Sequence, residues 1–408
     1  MIASSTLQFR KAKKSGSSIH LPDRQQRFPN LIGMPEEGHE TLSKLRVAVA
    51  GCGAIGRTIA IDLARLGIAE IYLVDPKRYK EQSLLTQQIS PSEVGRLKAE
   101  STAEACAEIS LETTVLYYAG RFESLEHLAL ATVDVVIMAG DNLRLEEAIG
   151  RWTSLFRIPL IHAAVHGETL VAQVHFYSNK NASSPCPCCG WGAAEWDHHA
   201  RESTFACDPA SAGNSEQVPT IGTQPTTSTP SLCGLAANLA STQMLRSVLG
   251  LGKSVDDTSL QFCAFPNETA TSPLIHRKSC PNNHRPYIRK SLPDNSDYSL
   301  NDLLEKTKDL WRNGDPPTFQ LANLAWVEAG SCKCQSATTR LARFVSPNEP
   351  EMLCESCHAP ISPQPFFTHS RASLLHLGEA LKFPLRQLCS VSPEWITIGN
   401  SENAVLLT

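Results

Sequence analysis

Between Arg46 and Ala163 the apolar positions alternate between two periods. Short continuous apolar runs, as in strands buried on both faces, alternate with stretches whose apolar residues recur three or four apart, as in helices. Arg46 to Ala50 reads as a strand. Ile55, Ile59, Leu63 and Leu66 then fall on one helical face, and Glu70 to Val74 reads as a second strand. The same reading predicts a helix over Pro91 to Ile109, a strand over Thr113 to Tyr118 and a short helix over Leu125 to Leu130. It continues with a strand over Asp134 to Ala139, a helix over Leu143 to Phe156 and a strand over Pro159 to Ala163. Thr169 to Tyr177 reads as an antiparallel addition. The expected fold is α/β: a doubly wound, Rossmann-like sheet with a mixed extension and its ligands at the carboxyl ends of the strands.

From residue 183 to 230 the periodicity dissolves into Ser, Thr, Pro, Gly and Asn. A loop of that length inside a domain carries function or is disordered. A helix over Leu232 to Leu249 and short strands over Leu260 to Phe265 and Pro273 to His276 are expected next. Residues 300–408 read as a small separate module that opens with a helix over Leu303 to Trp311. Residues 1–22, with Arg10, Lys11, Lys13 and Lys14, read as a solvated flexible tail, which leaves 23–299 as the α/β domain.

Composition narrows the partners. A formal charge of −4 over 408 residues gives no reason to expect nucleic acid or an acidic membrane. No apolar run is long enough to span a bilayer, and the N-terminus lacks the apolar stretch of a signal peptide. A cytoplasmic protein is expected. In a reducing compartment, 14 clustered cysteines point to metal or thiol chemistry rather than disulfides.

Gly51-Cys52-Gly53-Ala54-Ile55-Gly56 sits between the first strand and helix, and Asp75 ends the second strand. That arrangement cradles phosphate: free N–H groups and the positive end of the helix dipole face the anion, and the carboxylate reaches ribose hydroxyls. By itself it suggests a nicotinamide dehydrogenase. Cys186 and Cys189 form a Cys-x-x-Cys knuckle, and Cys280 and His284 lie at Cys-x-x-x-His spacing, with Cys188 a competing ligand. Four such ligands make a closed, structural zinc site. Cys332, Cys334, Cys354 and Cys357 read as a second, ribbon-type zinc site in the C-terminal module. Cys207 stands alone among polar neighbours in the long loop, with Cys233 its rival as a reactive thiol. Cys52, Cys106, Cys263 and Cys389 read as core residues. His162 and His166 read as core or edge histidines, and His198 and His199 as a solvated loop pair.

One further run of motifs resembles a known family. The glycine turn, Asp75, Gln87, Gly95-Arg96-Leu97-Lys98, Asp141-Asn142, Pro159-Leu160-Ile161, Gly167 and the zinc cysteines follow one another as in the ubiquitin-activating superfamily that includes ThiF, MoeB and HesA. The resemblance runs from Arg24 to His284, and the stretch from Phe205 through Cys207 to Pro225-Thr226-Thr227 is similar to the crossover loop of thioester-forming members. It implies an ATP- and magnesium-dependent enzyme that adenylates the C-terminal glycine of a ubiquitin-like protein. In that reading Gly51, Gly53, Ile55 and Gly56, with Gln87 and Asn142, contact the nucleotide. Asp75 holds the ribose, Lys98 the phosphates and Asp141 the magnesium. Cys207 takes the acyl group as a thioester for a conjugating enzyme, and the protein is a homodimer. Zinc at Cys186, Cys189, Cys280 and His284 belongs to the same resemblance.

This chain departs from the family at three arginine positions and one asparagine. Ser83 and Thr86 stand where Asn and Arg are usual, Asn30 replaces an N-terminal Arg (Arg24 and Arg27 are close by), and Glu146 replaces the Arg after Asp141-Asn142, with Arg144 near. Two other readings therefore stand beside the first. One is adenylation of a sulfur carrier or a peptide carboxylate without a thioester. The other is an inactive adaptor that binds a ubiquitin-like protein through its zinc modules. A dehydrogenase would leave Lys98, Asp141 and the cysteine pairs without a role.

Overall fold

The computed structural model describes residues 9–13, 34–110, 112–122, 125, 132–140, 142–196, 228–280, 282 and 284. Beyond these it describes 288–291, 297–311, 315–321, 324–332, 334, 339–345, 354, 357–358, 361–363, 368–369, 371–389, 393, 395–400 and 403–407. The chain divides into two compact units, the first running to His284 and the second from Arg285 onward.

In chain order the first unit contains β1 (Arg10–Lys11), α1 (Gly38–Lys44), β2 (Arg46–Ala50), α2 (Ala54–Leu66) and β3 (Glu70–Val74). Then come α3 (Lys98–Ile109), β4 (Thr114–Tyr118), β5 (Val135–Met138), α4 (Leu143–Phe156), β6 (Leu160–His166) and β7 (Val171–Tyr177). It closes with α5 (Pro230–Leu249), β8 (Thr258–Cys263) and β9 (Glu268–Pro273). The described strands form one sheet in the order β1-β4-β3-β2-β5-β6-β7-β8-β9. From β4 to β6 every neighbour is parallel, and β7, β8 and β9 extend the sheet antiparallel. This is the expected Rossmann-like α/β architecture. The order reverses at β2, so a crevice opens beyond the carboxyl ends of β2 and β5, where such sheets take their ligands.

The core follows from the patterning. Val47, Val49, Ile71 and Leu73 pack with Ile59 and Leu63 of α2, Ala99 and Ala103 of α3, and Ala236 and Ala240 of α5. Burying each Ile or Leu stabilises by about 2–3 kcal/mol. The small residues of α3 and α5 let those helices lie close to the sheet. Gly67 ends α2 at φ 77°, with its N–H bonded to Ala64 and the next N–H to Leu63, which closes the last turn. Thr229 caps α5 through its hydroxyl oxygen, and Pro230 occupies the first turn.

Several boundaries differ from expectation. The helix expected from Pro91 begins only at Lys98, because Val94 is extended, Gly95 takes φ 87°, and the Gly95 N–H bonds the Tyr79 carbonyl. The expected strand at Pro273 to His276 lies earlier, as β9, whose residues are exposed throughout and so lack an apolar signal. Arg10 and Lys11, read as tail, form an edge strand beside β4, anchored by buried Phe9 and Ala12. The expected helix at Leu125 to Leu130 lies, apart from Leu125, outside the described residues.

The second unit holds β10 (Ile288–Lys290), α6 (Leu300–Thr307), β11 (Thr318–Leu321), β12 (Ala325–Ser331), β13 (Thr339–Val345) and β14 (Ser362–Pro363). It continues with β15 (Thr368–His369), β16 (Ala372–Ser373), α7 (Leu374–Leu377), α8 (Leu385–Leu388), β17 (Ile396–Gly399) and β18 (Ala404–Leu407). Five strands run β10-β18-β17-β11-β16, while β12 pairs with β13, β14 and β15. Leu300, Leu303, Phe319, Trp326, Phe344, Ile396 and Val405 share one core. The unit is thus more than a cysteine ribbon: it has its own sheet and its own apolar interior. Among the described residues no helix is long and apolar enough to cross a membrane.

Candidate active site

The glycine turn leaves β2 at Gly51, whose φ of 94° only glycine adopts easily, and whose N–H bonds the Val74 carbonyl. A Cβ on Gly56 would lie 1.8 Å from the Gly51 carbonyl oxygen, so Gly56 lets α2 start directly against the turn. A Cβ on Gly53 would meet nothing within 4 Å. The protein does not need a glycine there, and the open space suits a group approaching from outside. The first turn of α2 has no side-chain cap, so its N–H groups face that space unclaimed by a capping side chain. The Ile55 side chain belongs to the core, so only its backbone N–H can serve a ligand.

Asp75 at the end of β3 braces this turn. Its Oδ2 accepts the Cys52 N–H at 2.7 Å and its Oδ1 the Lys77 N–H at 2.7 Å, while the residue is 6% exposed. Each carboxylate oxygen keeps a second lone pair. Gln87 stands in the loop before α3, and its Oε1 is buried with no hydrogen-bond partner among the described residues. A buried acceptor without a partner suits a hydroxyl- or amine-bearing ligand.

Behind the turn lies a polar network that the sequence reading missed. Arg57 pairs with Glu93 at 2.7 Å and donates to the Tyr79 hydroxyl at 3.1 Å; its side chain is 6% exposed. Ser101 donates to Glu93 at 2.6 Å. The Tyr79 hydroxyl donates to the Cys52 carbonyl of the turn at 3.2 Å. Burial opposes ionisation of Glu93, but the bonds from Ser101, the Ser90 N–H and Arg57 outweigh it and lower its pKa. Lys98, at the start of α3, holds its Nζ 5.5 Å from the centre of the Tyr79 ring. Glycine turn, Tyr79 and Lys98 therefore form one connected group.

The departures from the family pattern are occupied otherwise. Ser83 is buried and accepts the Lys80 N–H, closing a short turn. Glu146 accepts the Trp191 indole N–H at 3.1 Å. Asn142 caps α4, its Oδ1 accepting the Arg144 N–H at 2.9 Å. Asp141, Cys207, His198 and His199 lie outside the described residues, as do Arg24, Arg27 and Asn30. Cys233 is buried in α5, and burial raises its pKa, which suits packing rather than attack.

Cys186, Cys189, Cys280 and His284 converge, their ligand atoms within 4.8 Å of one another. Cys186 Sγ is 3.7 Å from Cys280 Sγ and 3.6 Å from His284 Nε2, and Cys189 Sγ is 3.5 Å from that nitrogen. A zinc tetrahedron has S···S edges of about 3.8 Å and S···N edges of about 3.5 Å. His284 Nδ1 lies 2.9 Å from the Ser184 carbonyl, which fixes the tautomer and leaves Nε2 for an ion. Cys188 does not join: Asn282 donates to its sulfur at 3.3 Å instead. The cluster is tied to α4. A Cβ on Gly150 would lie 2.8 Å from Pro187 Cδ, and Trp191 both bonds Glu146 and packs on Trp196 at 4.7 Å.

In the second unit Cys332, Cys334, Cys354 and Cys357 also converge. Cys332 Sγ lies 3.4 Å from Cys334 Sγ and 3.3 Å from Cys357 Sγ, and Cys334 Sγ lies 3.6 Å from Cys354 Sγ. Both cysteine groups have the donor set and spacing to hold zinc.

His162 and His175 face each other across β6 and β7, rings 5.8 Å apart. Burial, and secondarily their histidine neighbours, push both down to about 4. Unfolding frees them to titrate near 6.5, so below that pH the unfolded chain binds more protons. Stability is full above about pH 6.5 and falls as pH drops towards 4, by up to about 3 kcal/mol per histidine. Urea unfolding at pH 7 and pH 5 checks this: His162→Gln with His175→Gln is expected to flatten the difference.

The strand order, the glycine turn at the reversal point and the acidic strand end define a Rossmann-like domain of the phosphate-turn kind. The chain belongs to the ThiF family, whose model matches residues 23–282. It is 30% identical over 172 residues to "Adenylyltransferase and sulfurtransferase MOCS3-1" of Zea mays, covering 41% of this chain and 36% of that protein. It is also 30% identical over 146 residues to the "SAMP-activating enzyme E1" of Haloferax volcanii, covering 35% of this chain and 54% of that one. Against the "Molybdopterin-synthase adenylyltransferase" of Salmonella typhimurium it is 28% identical over 162 residues, covering 39% and 64%. The chain thus spans between about a third and two thirds of the length of these relatives. Among solved structures, E. coli MccB with succinimide is similar over 60% of this chain and 68% of that chain, with 17% identity and a TM-score of 0.47.

Proposed function

We propose that this protein uses ATP to adenylate the C-terminal carboxylate of a small ubiquitin-like protein, and then takes the acyl group on Cys207. The observation that carries the reading is the turn braced by Asp75 beside the open face of Gly53, at the reversal point of a ThiF-family domain. Named activities of the relatives, adenylyltransferase and SAMP-activating enzyme, support it.

The chemistry asks the protein to bring two anions together. A carboxylate oxygen of the bound tail attacks the α-phosphorus, the bond to the bridging oxygen breaks, and pyrophosphate leaves with that electron pair. N–H groups at the head of α2 face the phosphates, and Lys98, held near the Tyr79 ring, adds a positive charge. The spare lone pairs of Asp75 accept the ribose hydroxyls. Magnesium, with Asp141 its expected ligand, neutralises phosphate charge when bound. The Cys207 thiolate then attacks the acyl carbonyl and AMP leaves, giving a thioester that a conjugating enzyme can accept. Zinc at the two cysteine groups is structural in this reading, and a second copy of the chain completes a homodimer.

A second reading ends at the adenylate, with a sulfur carrier as substrate. The sulfurtransferase named in the maize relative favours it. One experiment separates the two. With a candidate protein ending in glycine, ATP–pyrophosphate exchange is expected in the wild type and in Cys207→Ala. A thiol-sensitive adduct is expected in the wild type alone. An adduct that persists in Cys207→Ala removes the nucleophile assignment, and exchange with no adduct in either protein leaves the second reading. No binding of millimolar ATP would instead point to an adaptor.

A further inference from the structure

The second unit carries a third group of ligating side chains, distinct from its four cysteines. Glu328 on β12, His369 on β15 and His376 on α7 bring their ligand atoms within 4.8 Å of one another. We propose that these three residues bind a divalent first-row transition ion, zinc foremost, with water completing its coordination.

Three observations carry the assignment. First, Glu328 Oε1 lies 3.3 Å from His369 Nε2, and a tetrahedral zinc ion has O···N edges of about 3.3 Å. Second, that Nε2 is buried and makes no hydrogen bond to the described residues, although the carboxylate faces it. The pair has the spacing of two ligands and lacks the alignment of a hydrogen bond. Third, the hairpin is distorted at this point. Val327 pairs with Arg343 and Ala329 with Arg340, so Glu328 alone faces two residues of β13, and one of them, Ala342, takes φ 47°. Bulges that re-aim a side chain are characteristic of binding sites, and an alanine in the left-handed region is strained.

The rings of His369 and His376 are stacked, 3.8 Å between centres and 12° between planes. A ring nitrogen binds metal in the plane of its ring, so two stacked rings cannot both reach one ion. Binding therefore turns His376 out of the stack. That ring is lightly held: its Nδ1 accepts the Ser373 N–H at 3.2 Å. The cap of α7 survives the turn, because it runs from the His376 N–H to Ser373 Oγ. Two imidazoles and a carboxylate suit zinc and leave one position open to water. The side chains of His369 and Glu328 are 21% and 32% exposed, which gives an ion a route in. An open three-ligand site of this kind loses its metal to chelators before closed thiolate sites do.

The test is zinc content. The full chain is equilibrated with Zn²⁺, freed of loose metal by gel filtration, and measured by mass spectrometry. The double variant His369→Gln/His376→Gln is expected to retain one zinc fewer per chain than the wild type, whatever the cysteine groups hold. Equal content in the two overturns the proposal. Because the double variant alters packing as well, Glu328→Gln provides a second measurement. It keeps the shape and removes the anionic ligand, so competition against a chelator is expected to show at least a tenfold weaker site. An unchanged affinity in Glu328→Gln overturns the proposal independently. Substituting Co²⁺ gives a spectral check: the ion lost in either variant carries no thiolate charge-transfer band, and loss of that band instead counts against the assignment.

Discussion

Asp75→Ala is expected to raise the ATP concentration needed for pyrophosphate exchange by about a hundredfold or more. The carboxylate accepts two backbone N–H groups, from Cys52 and Lys77, each at 2.7 Å. Removing it strands two donors in a site only 6% exposed, at about 1–3 kcal/mol each, and takes away the expected ribose acceptor. Both stability and nucleotide affinity should therefore fall. Asp75→Asn is the sharper control. Its oxygen can accept one N–H, but its amide NH2 meets the other donor head-on, so the turn distorts with no loss of volume. Exchange measured against ATP concentration, alongside urea unfolding, separates the effects. A variant that loses stability while its KM for ATP stays at the wild-type value would make Asp75 a brace and nothing more.

The second large effect concerns the first cysteine group. Cys189→Ala is expected to lose one zinc per chain and to destabilise the first unit by several kcal/mol; structural zinc contributes about 10 kcal/mol in the smallest domains. The effect should reach the nucleotide side. Trp191 links the cluster to Glu146 on α4, Pro187 lies against Gly150, and Asn142 caps the same helix. Loosening the cluster loosens the helix that begins at Asn142. Zinc content, thermal unfolding and exchange are the measurements. Wild-type exchange in a Cys189→Ala protein that has lost that one zinc would disconnect the two sites.

The parallel sheet was legible because strands buried on both faces must be continuously apolar, and α2 and α4 carry clear helical stripes. Their limits match within a residue: α4 spans Leu143–Phe156 as read, and α2 starts one residue early. The second cysteine group was legible from spacing, and the first from spacing together with the family resemblance; both converge in the fold. The break before α3 was not, since Pro91 to Ile109 has helical apolar spacing and the interruption lies in the backbone, in extended Val94 and Leu97 and the positive φ of Gly95. Strand β9 was misplaced because Glu268-Thr269-Ala270-Thr271-Ser272-Pro273 is polar on both faces. The Arg57–Glu93–Tyr79 network was missed because its members lie far apart in sequence and look like surface residues. Glu328, His369 and His376 were missed for the same reason: no short motif joins them, and only pairing of β15 with β12 brings them together.

The two outermost described strands of the large sheet, β1 and β9, have a further consequence. A row of unpaired backbone groups invites another chain to dock and start fibrous growth. Strand β1 is two residues long and both are cationic, so a second copy is met by like charge. Strand β9 begins with an anion and ends with a proline, which has no N–H to offer a newcomer. Among the described residues, neither outer strand offers a second copy an easy edge to pair with.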